Sequence, residues 1–148
     1  MTKRYIGVIG GAKCSRGVRK LAEEVGRGIA QAGAVLICGG VGGVMEAACR
    51  GARQAGGTTV GILPGSDRSE GNRFLTVAVA TGLGEARNLA IIRTADVLIA
   101  VGGSYGTLSE IGFALKMGKP VIGLETWKIG GIEMAATPEQ ALRLVLQD

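Results

Sequence analysis

The sequence predicts one doubly wound α/β domain over residues 1–148, a parallel sheet with helices on both faces. Three observations carry this. Short apolar runs such as Val35–Cys38 and Val97–Val101 show no alternation, as expected of strands buried on both faces. Segments with apolar residues four apart, as at Leu21, Val25 and Ile29, lie between the runs and read as helices. Glycine pairs follow the first, second and fifth runs, at Gly10-Gly11, Gly39-Gly40 and Gly102-Gly103, where a strand must turn sharply into a helix.

Tyr5–Ile9 is a β-branched run ending in glycine, the first strand. A helix is expected over Arg19–Gln31, with Gly33 at the position of a left-handed cap. Val35–Cys38 is the second strand and Val44–Gln54 the second helix, stopped by Gly56-Gly57. Thr59–Leu63 closes on Pro64-Gly65, and the polar stretch Ser66–Arg73 reads as a loop. Thr76–Ala80 is a fourth strand, followed by a helix over Glu85–Thr94. Val97–Val101 is the fifth strand, and Thr107–Met117 a helix stopped by Gly118 and Pro120. Val121–Leu124 is the sixth. Thr137, Pro138 and Gln140 then supply an N-cap, a first-turn proline and a capping-box partner for the last helix.

Composition narrows the chemistry. Aromatic residues are 3% of the chain, so the core must be aliphatic, and 27 glycines in clusters mean tight turns or close approach of backbone to a ligand. Histidine is absent, which removes the commonest general base and metal ligand. Cys14, Cys38 and Cys49 have no CxxC spacing, so no metal site is expected, and they read as buried free thiols of a cytoplasmic protein. The net charge of +5 suits an anionic ligand. The basic residues form no run and no aromatic interleaving, so no nucleic-acid surface is expected. Nor is a membrane span: the longest uncharged stretch, Gly28–Met45, is broken by glycines and Gln31.

Three constellations are candidates for the site. In Gly39-Gly40-Val41-Gly42-Gly43-Val44-Met45-Glu46, glycines let backbone N–H groups face a common concavity at a helix N-terminus, which favours phosphate; a structural turn is the alternative. Gly102-Gly103-Ser104-Tyr105-Gly106-Thr107-Leu108-Ser109-Glu110 has the same form, with hydroxyls added. Glu110 there either closes a capping box with Thr107 or faces the ligand. Arg87, beside Asn88, opens a helix where a cation opposes the dipole; either a bound anion accounts for it or it is a solvated surface arginine. Gly10 and Gly11 form a third loop within reach of the same ligand.

Taken in order, Gly39-Gly40 through Gly43-Val44-Met45-Glu46, Gly61-Ile62-Leu63-Pro64-Gly65, Ala86-Arg87-Asn88 and the Gly102–Glu110 loop resemble a Rossmann-like superfamily. It includes the molybdenum cofactor carrier proteins and the LONELY GUY phosphoribohydrolases, once labelled lysine decarboxylases. The Arg87 and Glu110 positions match the hydrolases' arginine and glutamate, and Arg93, Ala95 and Asp96 continue their framework. Val101 in place of proline, and a loop one residue longer at Ser104, favour the carrier-like branch. That resemblance implies a homo-oligomer, dimer or tetramer, and a pterin- or nucleotide-like phosphate-bearing ligand. This ligand would be the molybdenum cofactor or a nucleotide, with no cofactor required beyond it. The hydrolase alternative implies cleavage of a nucleoside 5′-monophosphate, with Arg87 and Glu110 catalytic.

Overall fold

The computed structural model describes residues 3–147. Tyr5–Gly10 (β1), Val35–Cys38 (β2), Thr58–Leu63 (β3), Val77–Ala80 (β4), Val97–Val101 (β5), Val121–Leu124 (β6) and Glu133–Met134 (β7) make one sheet. Its order is β4-β3-β2-β1-β5-β6-β7, and every pairing is parallel. The fold is therefore the doubly wound one that the unalternating strands predict.

The helices follow from the same pattern. Arg16–Gln31 (α1), Val44–Gln54 (α2) and Pro138–Val145 (α5) cover one face; Arg87–Thr94 (α3) and Tyr105–Lys116 (α4) cover the other. Successive strand residues feed opposite cores: Val97, Ile99 and Val101 pack under α1, α2 and α5, and Leu98 and Ala100 under α3 and α4. Small residues let α1 and α2 touch backbone to backbone. A Cβ on Gly26 would sit 1.8 Å from the Ala48 carbonyl oxygen, and one on Gly51 2.0 Å from that of Glu23.

Three helix starts differ from expectation, and several other element ends shift by one residue. α1 begins three residues earlier, at Arg16, because the Ser15 hydroxyl accepts a hydrogen bond from the Val18 N–H and caps it. Gly84–Ala86 is a 3₁₀ turn, so α3 starts at Arg87, and α4 starts at Tyr105, ahead of Thr107. The seventh strand is only two residues long, too short for a periodic signal, and the polar loop carries a 3₁₀ turn at Arg68–Glu70. No described helix is long and apolar enough to cross a membrane.

The chain runs from β1 outward to β4, then returns to place β5 on the other side of β1. The strand order reverses between β1 and β5, and the carboxyl ends there open a crevice where α/β proteins bind ligands.

Candidate functional site

A cavity of about 330 Å³ occupies that crevice. The end of β1 and the turn after it contribute Val8, Ile9, Gly10, Gly11 and Ala12; the loop after β2 contributes Gly39 and Val41, and the first turn of α2 Met45. Glu85, Arg87 and Asn88 come from the start of α3, and Ser104, Gly106, Thr107 and Glu110 from the start of α4. Three separate loops and the arginine thus meet in one place.

The glycine loops after β2 and β5 are buttressed from outside. The Asn72 side-chain amide donates to the Val41 carbonyl at 3.0 Å, and the Gly40 carbonyl accepts from the Asn72 N–H at 2.9 Å. Across the cavity, the Thr126 hydroxyl donates to the Gly102 carbonyl at 2.6 Å and the Trp127 indole to that of Ser104 at 3.0 Å. In a trans peptide the next N–H points opposite to its carbonyl. The N–H groups of Gly42, Gly103 and Tyr105 are thereby turned away from these buttresses. The N-caps of α2 and α4, Gly43 and Ser104, make no side-chain cap bond. α4 therefore offers its first turn to the cavity without a competing side-chain acceptor.

Arg87 is not a solvated surface arginine. It is 9% exposed, and its guanidinium donates to the Ile62 carbonyl at 2.8 Å, to the Asn88 side-chain oxygen and, at 3.5 Å, to the Gly39 carbonyl. These bonds tie the start of α3 to the ends of β3 and β2, which accounts for a cation at this helix start. Burial lowers its pKa, and the negative charge of Glu110 works against that shift. Glu110 is half-buried, and its carboxyl is pushed up to about 7, first by burial, with the Arg87 charge opposing. It therefore titrates near neutrality. Its capping-box reading fails, because α4 begins at Tyr105 and places Glu110 in the second turn.

Other residues of the two loops lie elsewhere. Gly40, Gly42, Gly43, Gly102 and Gly103 shape the loops without lining the cavity. Glu46 turns into a smaller cavity of about 100 Å³ with Arg19, Arg50 and Arg73. Tyr105 is 77% exposed, its ring 5.8 Å from that of Trp127 between centroids. With Phe113 and Leu89 it lines an adjoining groove that shares Glu85, Asn88 and Gly106 with the main cavity. Cys38 and Cys49 are buried free thiols, as expected, and Cys14 is half-buried. The sequence places Glu85 at the head of the Glu85-Ala86-Arg87-Asn88 segment without marking it as a site residue, and nothing in the polar loop marks the buttress Asn72.

Comparison with known proteins agrees with this architecture. A protein of Archaeoglobus fulgidus described only as uncharacterised is 47% identical over 143 residues, covering 96% of this chain and 94% of its own. The molybdenum cofactor binding protein of the phototrophic bacterium Rippkaea orientalis superposes with a TM-score of 0.92 at 38% identity, covering 98% of this chain and 96% of that one. The molybdenum cofactor carrier protein of Chlamydomonas reinhardtii gives 0.87 at 36% identity, covering 97% and 96%. The model of the SLOG cluster4 family matches residues 3–147, and the chain belongs to that family.

Proposed function

We propose that this protein binds and carries a small phosphate-bearing ligand of pterin or nucleotide type, the molybdenum cofactor being the first candidate. The observation that carries this is the convergence of the uncapped first turn of α4 on a cavity at the β1/β5 reversal, with Arg87 on its wall. Helix N-terminal N–H groups and a guanidinium both favour an anion. The cavity volume of about 330 Å³ lies at the small end of the range for small-molecule sites. Likeness to the carrier proteins of Rippkaea and Chlamydomonas supports the pterin choice. Gly106 and Thr107 would hold the ligand's phosphate, and Val41 and Met45 on the same cavity wall would face its ring. Titration of the protein with molybdenum cofactor and with AMP tests this. Saturable binding of either is expected, and binding of neither would overturn it.

A second reading, hydrolysis of a nucleoside monophosphate, is favoured by the shared cavity of Arg87 and Glu110. A carboxyl titrating near 7 is suited to act as acid or base at neutral pH. Free base and ribose 5-phosphate released from AMP, and lost in Glu110→Gln, would establish it. The exposed Leu83, Tyr105 and Phe113 support a homo-oligomer formed through the α3–α4 side. Light scattering that shows a monomer at micromolar concentration would contradict that.

A further inference from the structure

Cys38 and Cys49 lie outside the cavity and the function above does not use them. Cys38 ends β2, immediately before Gly39; Cys49 is on α2, one helical turn beyond Met45. Both are fully buried, and their sulfurs are 3.5 Å apart. We propose that Cys38 and Cys49 are a redox-active dithiol, which a peroxide closes to a disulfide that staples the base of the Gly39–Gly43 loop.

The step balances. The Cys38 thiolate attacks one peroxide oxygen, the O–O bond breaks, and Cys38 becomes a sulfenic acid as hydroxide leaves and takes a proton. The Cys49 sulfur then attacks the Cys38 sulfur, its thiol proton is lost, the S–O bond breaks and water departs. Two thiols and one hydrogen peroxide give one disulfide and two waters, with two electrons passing from sulfur to oxygen. The assignment of Cys38 as the attacking thiol has a local cause. The Cys49 thiol, the Gly40 N–H and the Arg87 charge all hold its pKa below the ordinary value against its burial, whereas that of Cys49 is raised.

Closure has a mechanical consequence. A disulfide is about 2.05 Å long, so the sulfurs must approach by roughly 1.5 Å. Cys38 is registered against Gly61 of β3, and α2 is packed closely on α1 at Gly26 and Gly51, so rotation of the two side chains and a small shift of α2 against β2 must close the gap. The segment that joins the two elements, Gly39–Gly43, is then tied at both ends. Gly39 and Met45 line the cavity, so its wall is altered; that this alters ligand affinity rests on the function proposed above, whereas the disulfide itself does not.

The test uses the full chain without ligand. Reduced protein is treated with hydrogen peroxide, and residual thiols are alkylated under denaturing conditions and mapped by mass spectrometry. Amide hydrogen exchange is then compared over Gly39–Met45. A Cys38–Cys49 linkage is expected, with Cys14 still alkylated and exchange in that segment slowed by about threefold or more. Cys14→Ser should behave as wild type. Cys38→Ser and, should that variant fail to fold, Cys49→Ala should abolish both changes. Full alkylation of Cys38 and Cys49 after peroxide, linkage through Cys14, or unchanged exchange in the linked protein would overturn the proposal.

Discussion

The loops after β2 and β5 look alike in sequence and are built for different tasks. In the first, the space beside each key glycine is already filled. A Cβ on Gly39 would meet the Arg87 guanidinium at 2.6 Å, one on Gly40 the Leu63 side chain at 2.5 Å, and one on Gly43 the Gly11 carbonyl oxygen at 2.2 Å. Gly40 and Gly43 also have positive φ, 78° and 63°. In the second loop Gly103 is crowded by Thr107, but Gly106 faces open space and lines the cavity. One loop therefore needs glycine so that protein can pack on protein. The other keeps a glycine beside open space in the cavity wall. Glycine density alone does not separate the two; what each missing Cβ would touch does.

Substitutions separate the two loops. Gly43→Ala should have the largest effect, combining a left-handed backbone with a clash against main chain. Thermal or denaturant unfolding should show destabilisation by about 3 kcal/mol or more. A loss below 1 kcal/mol would mean that the loop relaxes freely. Arg87→Met should cost about 2 kcal/mol, since it strands the Ile62 and Gly39 carbonyls and removes a charge-assisted donor. It should also weaken anion binding, which titration with sulfate would read.

Glu110→Gln has an effect that depends on pH. The folded pKa of Glu110, about 7, is raised above its ordinary 4.5. The folded state therefore holds the proton more tightly, and this contribution to stability is present below about pH 4.5 and lost as pH rises through 7. The loss is on the order of 3 kcal/mol. Glu110→Gln should remove that slope and stabilise the protein at pH 8. Ionised Glu110 repels an anion in the same cavity, so sulfate affinity in the wild type should fall about tenfold from pH 6 to 8. In Glu110→Gln it should stay level; parallel slopes in the two proteins would detach this carboxyl from the cavity. The smallest expected effect on stability is that of Gly106→Ala. Its helical position and open surroundings predict a gain of about 0.5 kcal/mol.

The fold was largely legible because unalternating strands, four-residue stripes and glycine-ended runs are local patterns. The site was legible in its parts: Gly10, Gly11, Gly39, Met45, Arg87, Asn88, Ser104, Gly106, Thr107 and Glu110 meet in one cavity. What the sequence hid depends on side-chain direction after folding. Glu46 and Glu110 both follow a glycine loop, but Glu46 lies in the first turn of α2 and Glu110 in the second of α4, so they reach different cavities. The carbonyl partners of Arg87 lie 25 and 48 residues away, and the buttresses Asn72 and Trp127 lie 31 and 23 residues from the loop carbonyls they hold. Pairings at that range leave no local trace.

The proposed function assigns the open space at Gly106 to a phosphate-bearing ligand. Native mass spectrometry of freshly purified wild type and Gly106→Leu, with sulfate and AMP titrations of both, tests it most directly. A retained adduct or saturable anion binding is expected in the wild type. The variant should lose it while its melting temperature stays within a few degrees. Equal binding in both proteins, or none in either, would contradict the account.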